Sequence, residues 1–486
     1  MSFPAPIYRD TVLATIFADA QRLFLDSMIE IDYAHLLMLH QQKIVSRETT
    51  VACLRALDAL DLEALRTTPY DGKVEDLFFL VEEKLADACG PDNAGRIHTA
   101  RSRNDLDMTM YRMVLRTRLL KTVEAVTNLR ACLLTLAEEH RNSLMPAYTH
   151  NQPAQPTTLG HYLMAIVEVL ERDTERLQSA YTRVNRSPLG AAAITTTGFP
   201  IDRACTMKAL AFEGLQTNSY GAIAAVDYLT ESCSVLAVCM LNLGRFTQDM
   251  LLWSTAEFNY LRLSDGYVQI SSIMPQKRNP VPLEHVRILS SRALTESQAC
   301  LNSLHNTPFA DMNDSEDSFQ PLVDLAFTDG LRALTLLEGA LSEATFNTAH
   351  MAQRAADNFL TVTELADTLV RETGISFHQA HGFVAAAVKA ANGIFHPDAM
   401  VASIEQALAA ANIKTPTTET LRRALDPAYF VAIRTIPGGP APAALTPELE
   451  RAATQLTTDR TWTSTHREAI AQAHQQLHQA AADLTC

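Results

Sequence analysis

The chain has 486 residues, 47% of them hydrophobic, which is ample for large buried cores and for two to four domains. Its 40 basic against 55 acidic residues, a net charge of −15, argue against a nucleic-acid groove or an anionic membrane surface as the main partner; a substrate anion would need locally placed cations. Eight cysteines are scattered without metal-ligand spacing and read as reduced and structural, and the N-terminus lacks a basic segment followed by an apolar run, so a cytoplasmic location is the default expectation, with no membrane partner.

From Asp10 to about Arg66, apolar residues (Ile16, Leu23, Leu25, Met28, Ile29, Leu36, Leu37, Leu57), with Leu25, Met28 and Ile29 at spacings of three and four, predict two or three helices. Pro69 and Gly72 interrupt the pattern, which resumes at Val74–Glu82 and ends at Gly90-Pro91. The polar run Ile97-His-Thr-Ala-Arg-Ser-Arg-Asn-Asp105 then leads into a long amphipathic stretch. At a helix N-terminus, free N–H groups and the positive end of the dipole make such a run a ready anion site. A second polar run, rich in proline, covers Ala147-Tyr-Thr-His-Asn-Gln-Pro-Ala-Gln-Pro156 and precedes another helix. Long amphipathic patterns fill Leu159 to Gln353, and nothing alternates with period two for long, so an up-and-down helical bundle is expected. Its apolar coverage is too broad for one chain to bury. The tail from Pro447 to Cys486 reads as one or two helices rich in Ala and Gln.

Between two of these helices lies Ser271-Ser-Ile-Met-Pro-Gln-Lys-Arg-Asn-Pro280, which brings hydroxyls, an ammonium, an amide and two prolines into one loop. The motif resembles the signature loop of the fumarase/aspartase superfamily, and Gln276 resembles its argininosuccinate lyase branch. The likeness continues in Ser102-Arg103-Asn104-Asp105, Tyr148-Thr-His-Asn-Gln152, Pro188-Leu-Gly190, Trp253–Phe258 and the stretch from Phe359 to Pro442. It implies an all-α fold with domains at 1–106, 107–355 and 356–486, the central one contributing long helices to a tetrameric twenty-helix core. It also implies sites shared by three subunits of a homotetramer, and no metal or organic cofactor.

The resemblance assigns roles residue by residue. Ser271 is the base, Lys277 and Asn279 hold substrate carboxylate, and Thr149 and Gln152 join them. Ser102, Arg103 and Asn104 touch substrate, and His150 moves a proton with Glu284 as its partner. The expected reaction is elimination of an amine from an N-substituted aspartate to give fumarate, with ordinary argininosuccinate lyase and a catalytically silent crystallin-like homologue as alternatives.

Departures from the family pattern concentrate on the amine half of the substrate. Asp311 and Glu316 stand where neutral residues are usual and Phe319 where a cation is. Phe17, Gln21 and Phe78 fall where the pattern has Ser, Asp and His. These changes predict a pocket for a cationic or polyamine-like group, with ethylenediamine-disuccinate lyases as the nearest kind of example. Ile270 replaces a loop glycine, and its β-branch disfavours a positive φ at that hinge.

Overall fold

The structure is a computed structural model describing residues 3–486, 69% helical and 5% strand. Three hydrophobic cores organise it. The first is built around α1 (Leu25–Gln41), the neighbouring helices Arg47–Asp58 and Leu77–Cys89, and the start of α2 (Arg103–Glu139). The largest is the bundle of α2, α3 (Leu159–Val184), α4 (Asp227–Trp253), α5 (Val281–Leu304) and α6 (Gln320–Ser342), in which α2 packs on α3 and α6. A third, smaller core spans Leu365 to Leu425.

The last helix, α7 (Pro442–Thr485), leaves that third core. It lays Leu445, Leu449 and Leu456 into the bundle and carries Leu477 and Ala481 into the first core. A buried ion pair fixes it midway, Arg130 of α2 donating to Asp459 at 2.5 Å. A guanidinium with no exposed surface needs such a partner, because an unpaired buried charge costs several kcal/mol.

Helix α2 begins where the sequence predicts. Ser102 is its N-cap, accepting from the Asn104 N–H, while Asp105 accepts from the Ser102 N–H at 2.9 Å, closing a capping box. The second Asp105 oxygen accepts from the N–H groups of Gly190 at 2.8 Å and Ala192 at 2.9 Å. The Ser-Arg-Asn-Asp and Pro-Leu-Gly motifs are therefore one structural unit, a buried carboxylate joining a helix start to a turn whose Gly190 has φ +88°.

At the far end of α2 the chain forms a feature that composition did not suggest, an antiparallel hairpin of β1 (Leu144–Thr149) and β2 (Gln152–Thr158). Prolines in both strands mask the period-two signal. The hairpin returns tightly against the helix: a Cβ on Gly160 would lie 2.6 Å from the Ala137 carbonyl oxygen. The signature loop closes on a shorter ladder, β3 (Gln269–Ile270) with β4 (Arg278–Asn279).

Helix α4 is apolar enough by length and composition to cross a membrane, with mean hydropathy 1.2 over its most apolar window, of which 39% is buried inside the chain. It packs on α3, α5 and α6. Val238, Leu241 and Leu252 on α4, Ile288 on α5 and Leu325 on α6 remain exposed, so the bundle presents apolar side chains that one chain does not cover.

Candidate active site

The capping box sets the backbone that aims Asn104. Its amide donates to Asp311 at 2.7 Å and to the Ala193 carbonyl at 3.0 Å. Next to it, Arg103 donates to Asp76 at 2.5 Å and Glu75 at 3.1 Å, with its guanidinium 5.2 Å from the Phe79 ring centre. Ser102 is occupied as the cap, and Arg103 faces carboxylates of its own chain.

Asn104, Arg103, Asp311 and Glu316 line one cavity of about 500 Å³. Glu75, Asp76, Asp107 and Asp317 also line it, so six carboxyl groups face the guanidinium of Arg103, the one cation among the described lining residues. Val12, Leu13, Ile16 and Phe17 supply an apolar wall. Burial, then the neighbouring Asp311, pushes the Glu316 carboxyl up to about 8. Asp107 is raised well above the usual carboxylate range by burial and then by Asp317, which burial also raises while the Tyr111 hydroxyl donates to it. Crowded carboxyls in a partly desolvated space cannot all ionise, so this cavity stores protons that an incoming cation would displace.

Four of these acids were not singled out in the sequence. Asp107 was detectable, since it follows Asn104 by three residues and so shares its helix face; Glu75 and Asp76 come from a different helix start and carried no such signal. Of the substituted positions, Phe17 lines the cavity. The Gln21 amide is instead taken up by the carbonyls of Leu65 and Thr68, at 2.5 and 2.8 Å. Phe78 packs against His98, and Phe319 is buried in the bundle core.

His150 sits at the hairpin tip. His150 and Asn151 both have positive φ, +50° and +60°, between the paired residues Thr149 and Gln152, as a two-residue type I′ turn requires. All four side chains are exposed. The tip is held from below by Tyr148, whose hydroxyl is 2.9 Å from that of Tyr260.

In the signature loop, Ser271 Oγ accepts from the N–H groups of Met274 at 3.1 Å and Ile273 at 3.4 Å. Two donors aimed at one hydroxyl oxygen stabilise its deprotonated form, as in an oxyanion hole. Asn279 ties the loop base through a 3.0 Å bond to the Gln269 carbonyl. Ile270 lies in β3 opposite Arg278 without a positive φ, so the β-branch is accommodated by extended backbone. Lys277 is exposed, as is Glu284 in the first turn of α5.

These pieces do not converge within one chain. Asn104 starts α2 and His150 lies beyond its end, so the 37-residue helix, about 55 Å long at a rise of about 1.5 Å per residue, runs between them. Helix α5 likewise puts Glu284 and the Ser271 loop at one end and the Asp311–Glu316 segment beyond the other, 24 residues away along its axis. Among the described residues no hydrogen bond or ion pair joins His150 to Glu284. A single chain thus carries the acid-lined cavity at one end and the exposed His150, Lys277 and Glu284 at the other.

Long antiparallel helices bearing such loops define a class, the helical lyases of the fumarase/aspartase superfamily. Solved structures agree: EDDS lyase in complex with formate has a TM-score of 0.85 and 32% identity, covering 100% of this chain and 97% of that one. A class II fumarase from Schistosoma mansoni shares the fold at 15% identity, with a TM-score of 0.68 and coverage of 88% and 92%. The family described as Lyase matches residues 51–294, and the one described as argininosuccinate lyase C-terminal matches 359–432. Argininosuccinate lyase 2 of Agrobacterium fabrum is 42% identical over 446 residues, 90% of this chain and 88% of its own; argininosuccinate lyase of Methanoculleus marisnigri is 37% identical, over 94% and 93%. The chain belongs to the argininosuccinate lyase family and is a carbon–nitrogen lyase.

Proposed function

We propose that this lyase eliminates a cationic amine from an N-substituted L-aspartate to give fumarate, in a homotetramer whose sites each draw on three chains. The acid-lined cavity beside Asn104 carries the substrate reading. A diamine or polyamine head would be stabilised there by carboxylates, whereas a free carboxylate on the amine half would face six acidic groups and one cation, Arg103.

In this reading, Ser271 Oγ takes a Cβ proton from the succinyl half. The electron pair moves into the adjoining carboxylate as an aci-carboxylate, held by Lys277, Asn279 and Thr149, with Asn104 and Gln152 at the substrate's flanks. It then returns to form the Cα–Cβ double bond of fumarate as the Cα–N bond breaks. The nitrogen takes a proton delivered by His150, whose partner Glu284 would fix its tautomer, directly or through water. Assembly supplies the convergence that one chain lacks. The helix of about 55 Å that runs between Asn104 and His150 and the uncovered apolar residues of α4, α5 and α6 both support it.

Argininosuccinate is the competing substrate, favoured by the names of the relatives at 42% and 37% identity. A panel of argininosuccinate beside N-succinyl diamines and N-succinyl amino acids, read as fumarate absorbance and compared by kcat/KM, decides between them. The proposal expects a succinyl diamine to lead. A lead of orders of magnitude for argininosuccinate would overturn it.

A further inference from the structure

Outside the acidic cavity, two imidazoles and a carboxylate converge where α7 crosses α1. His474 and His478 lie one turn apart on α7, with ring centres 4.5 Å apart. Both direct Nε2 at the same oxygen of Glu30 on α1, at 3.2 Å and 2.6 Å. All three ligand atoms lie within 4.8 Å of one another.

We propose that Glu30, His474 and His478 form a binding site for a divalent transition metal of the zinc type, which would clamp the C-terminal helix to the first core. The donor set suits the ion, since imidazole nitrogen and carboxylate oxygen are both normal zinc ligands. So does the spacing: bonds of about 2.0–2.1 Å in a tetrahedron set neighbouring donors roughly 3.3 Å apart, so the observed oxygen–nitrogen separations need to open by less than an ångström.

The surroundings hold the ligands in place. Leu477 and Ala481 anchor that stretch of α7 in the first core, which keeps both histidines on the face toward α1. The Tyr33 ring, 4.7 Å from that of His478, is itself fixed by a 2.6 Å hydrogen bond to Asp58. Glu30 has 18% of its side chain exposed and His474 60%, which leaves one side open for the ion to enter and for water to complete its coordination. A simple ion pair would need only one of the two rings on that oxygen.

The site is separate from the lyase machinery, so metal-free protein should keep its fumarate-forming activity. The test is titration of chelator-treated, full-length assembled protein with Co²⁺, read by visible absorption, then displacement by Zn²⁺, alongside melting temperature at rising Zn²⁺. The expected result is one Co²⁺ per chain with four-coordinate absorption, and a melting temperature that climbs with Zn²⁺. His474→Ala and His478→Ala should each weaken binding roughly tenfold or more. Glu30→Gln, which can still hydrogen-bond the rings, should weaken it too. Circular dichroism and retained activity serve as the folding control, and the exposed His474 position keeps at least one variant readable. Absence of stoichiometric binding, or binding that survives unchanged in His474→Ala, would overturn the proposal.

Discussion

The two ends of the long bundle handle their polar groups in opposite ways. At the Asn104 end, side chains from three regions of one chain already touch: Asn104 bonds Asp311, Arg103 bonds Glu75 and Asp76, and Tyr111 bonds Asp317. At the other end His150, Lys277 and Glu284 stand in solvent; a type I′ turn, the Tyr148–Tyr260 contact beneath it and two N–H groups on Ser271 shape the backbone, but among the described residues no hydrogen bond or ion pair links the three side chains. Under the proposed function, the amine pocket would be preorganised by folding, whereas the proton-transfer groups would meet only on assembly. Selectivity for the amine should therefore follow intrachain contacts, and turnover should follow oligomerisation.

The sharpest break of that contrast is at Ser271. Ser271→Ala removes the proposed base while leaving the loop N–H groups in place, and kcat measured by fumarate absorbance should fall by about 10³-fold with little change in KM. Retention of full activity would place the base elsewhere.

Next in size is recovery on mixing. His150→Ala and Ser271→Ala chains, unfolded and refolded together, should regain activity, because random assembly with shared sites leaves about a quarter of them with both residues intact. Mixed samples as inactive as either parent would mean that each chain works alone.

Smaller is the effect of neutralising the cavity. Asp311→Asn with Glu316→Gln should raise KM for a succinyl diamine roughly 10–100-fold and narrow its advantage over argininosuccinate, with kcat largely kept. An unchanged ratio of kcat/KM between the two substrates would detach the acids from recognition.

The smallest effect is in pH. Because the Glu316 carboxyl is pushed up to about 8, it is neutral over much of the neutral range and attracts a cation best above that value, so KM for a cationic substrate should fall as pH rises toward it. Stability runs the other way. The folded state keeps a proton that the unfolded chain releases near the ordinary value of 4.5, so this group's contribution is full below 4.5 and is lost as pH climbs through about 8. Melting temperature should therefore decline across that window by more in the wild type than in Glu316→Gln.

Local patterns were legible from the residues. The start of the long helix after the Ser102–Asp105 run, the Gly90 stop and the helical tail follow from local residue patterns, and the structure shows each of them; the sequence placed Ser102 on the substrate, and the structure shows it as the N-cap. The hairpin was not legible, because its strands carry prolines and its turn uses His150-Asn151 rather than a glycine pair. Phe319 and Gln21, placed on the substrate by register, belong to packing instead, since equal spacing along a chain does not fix which way a side chain points.

Sequence alone determined the family and the all-α class, because those depend on residue types at fixed short spacings. Only the tertiary structure decided that Asp107 and Asp317 share a cavity with Asp311, that α7 returns to the first core, and that Asn104 and His150 of one chain stand a helix-length apart. Each of those is a contact between residues far apart in sequence, set by how rigid helices pack on one another, and no local spacing encodes it.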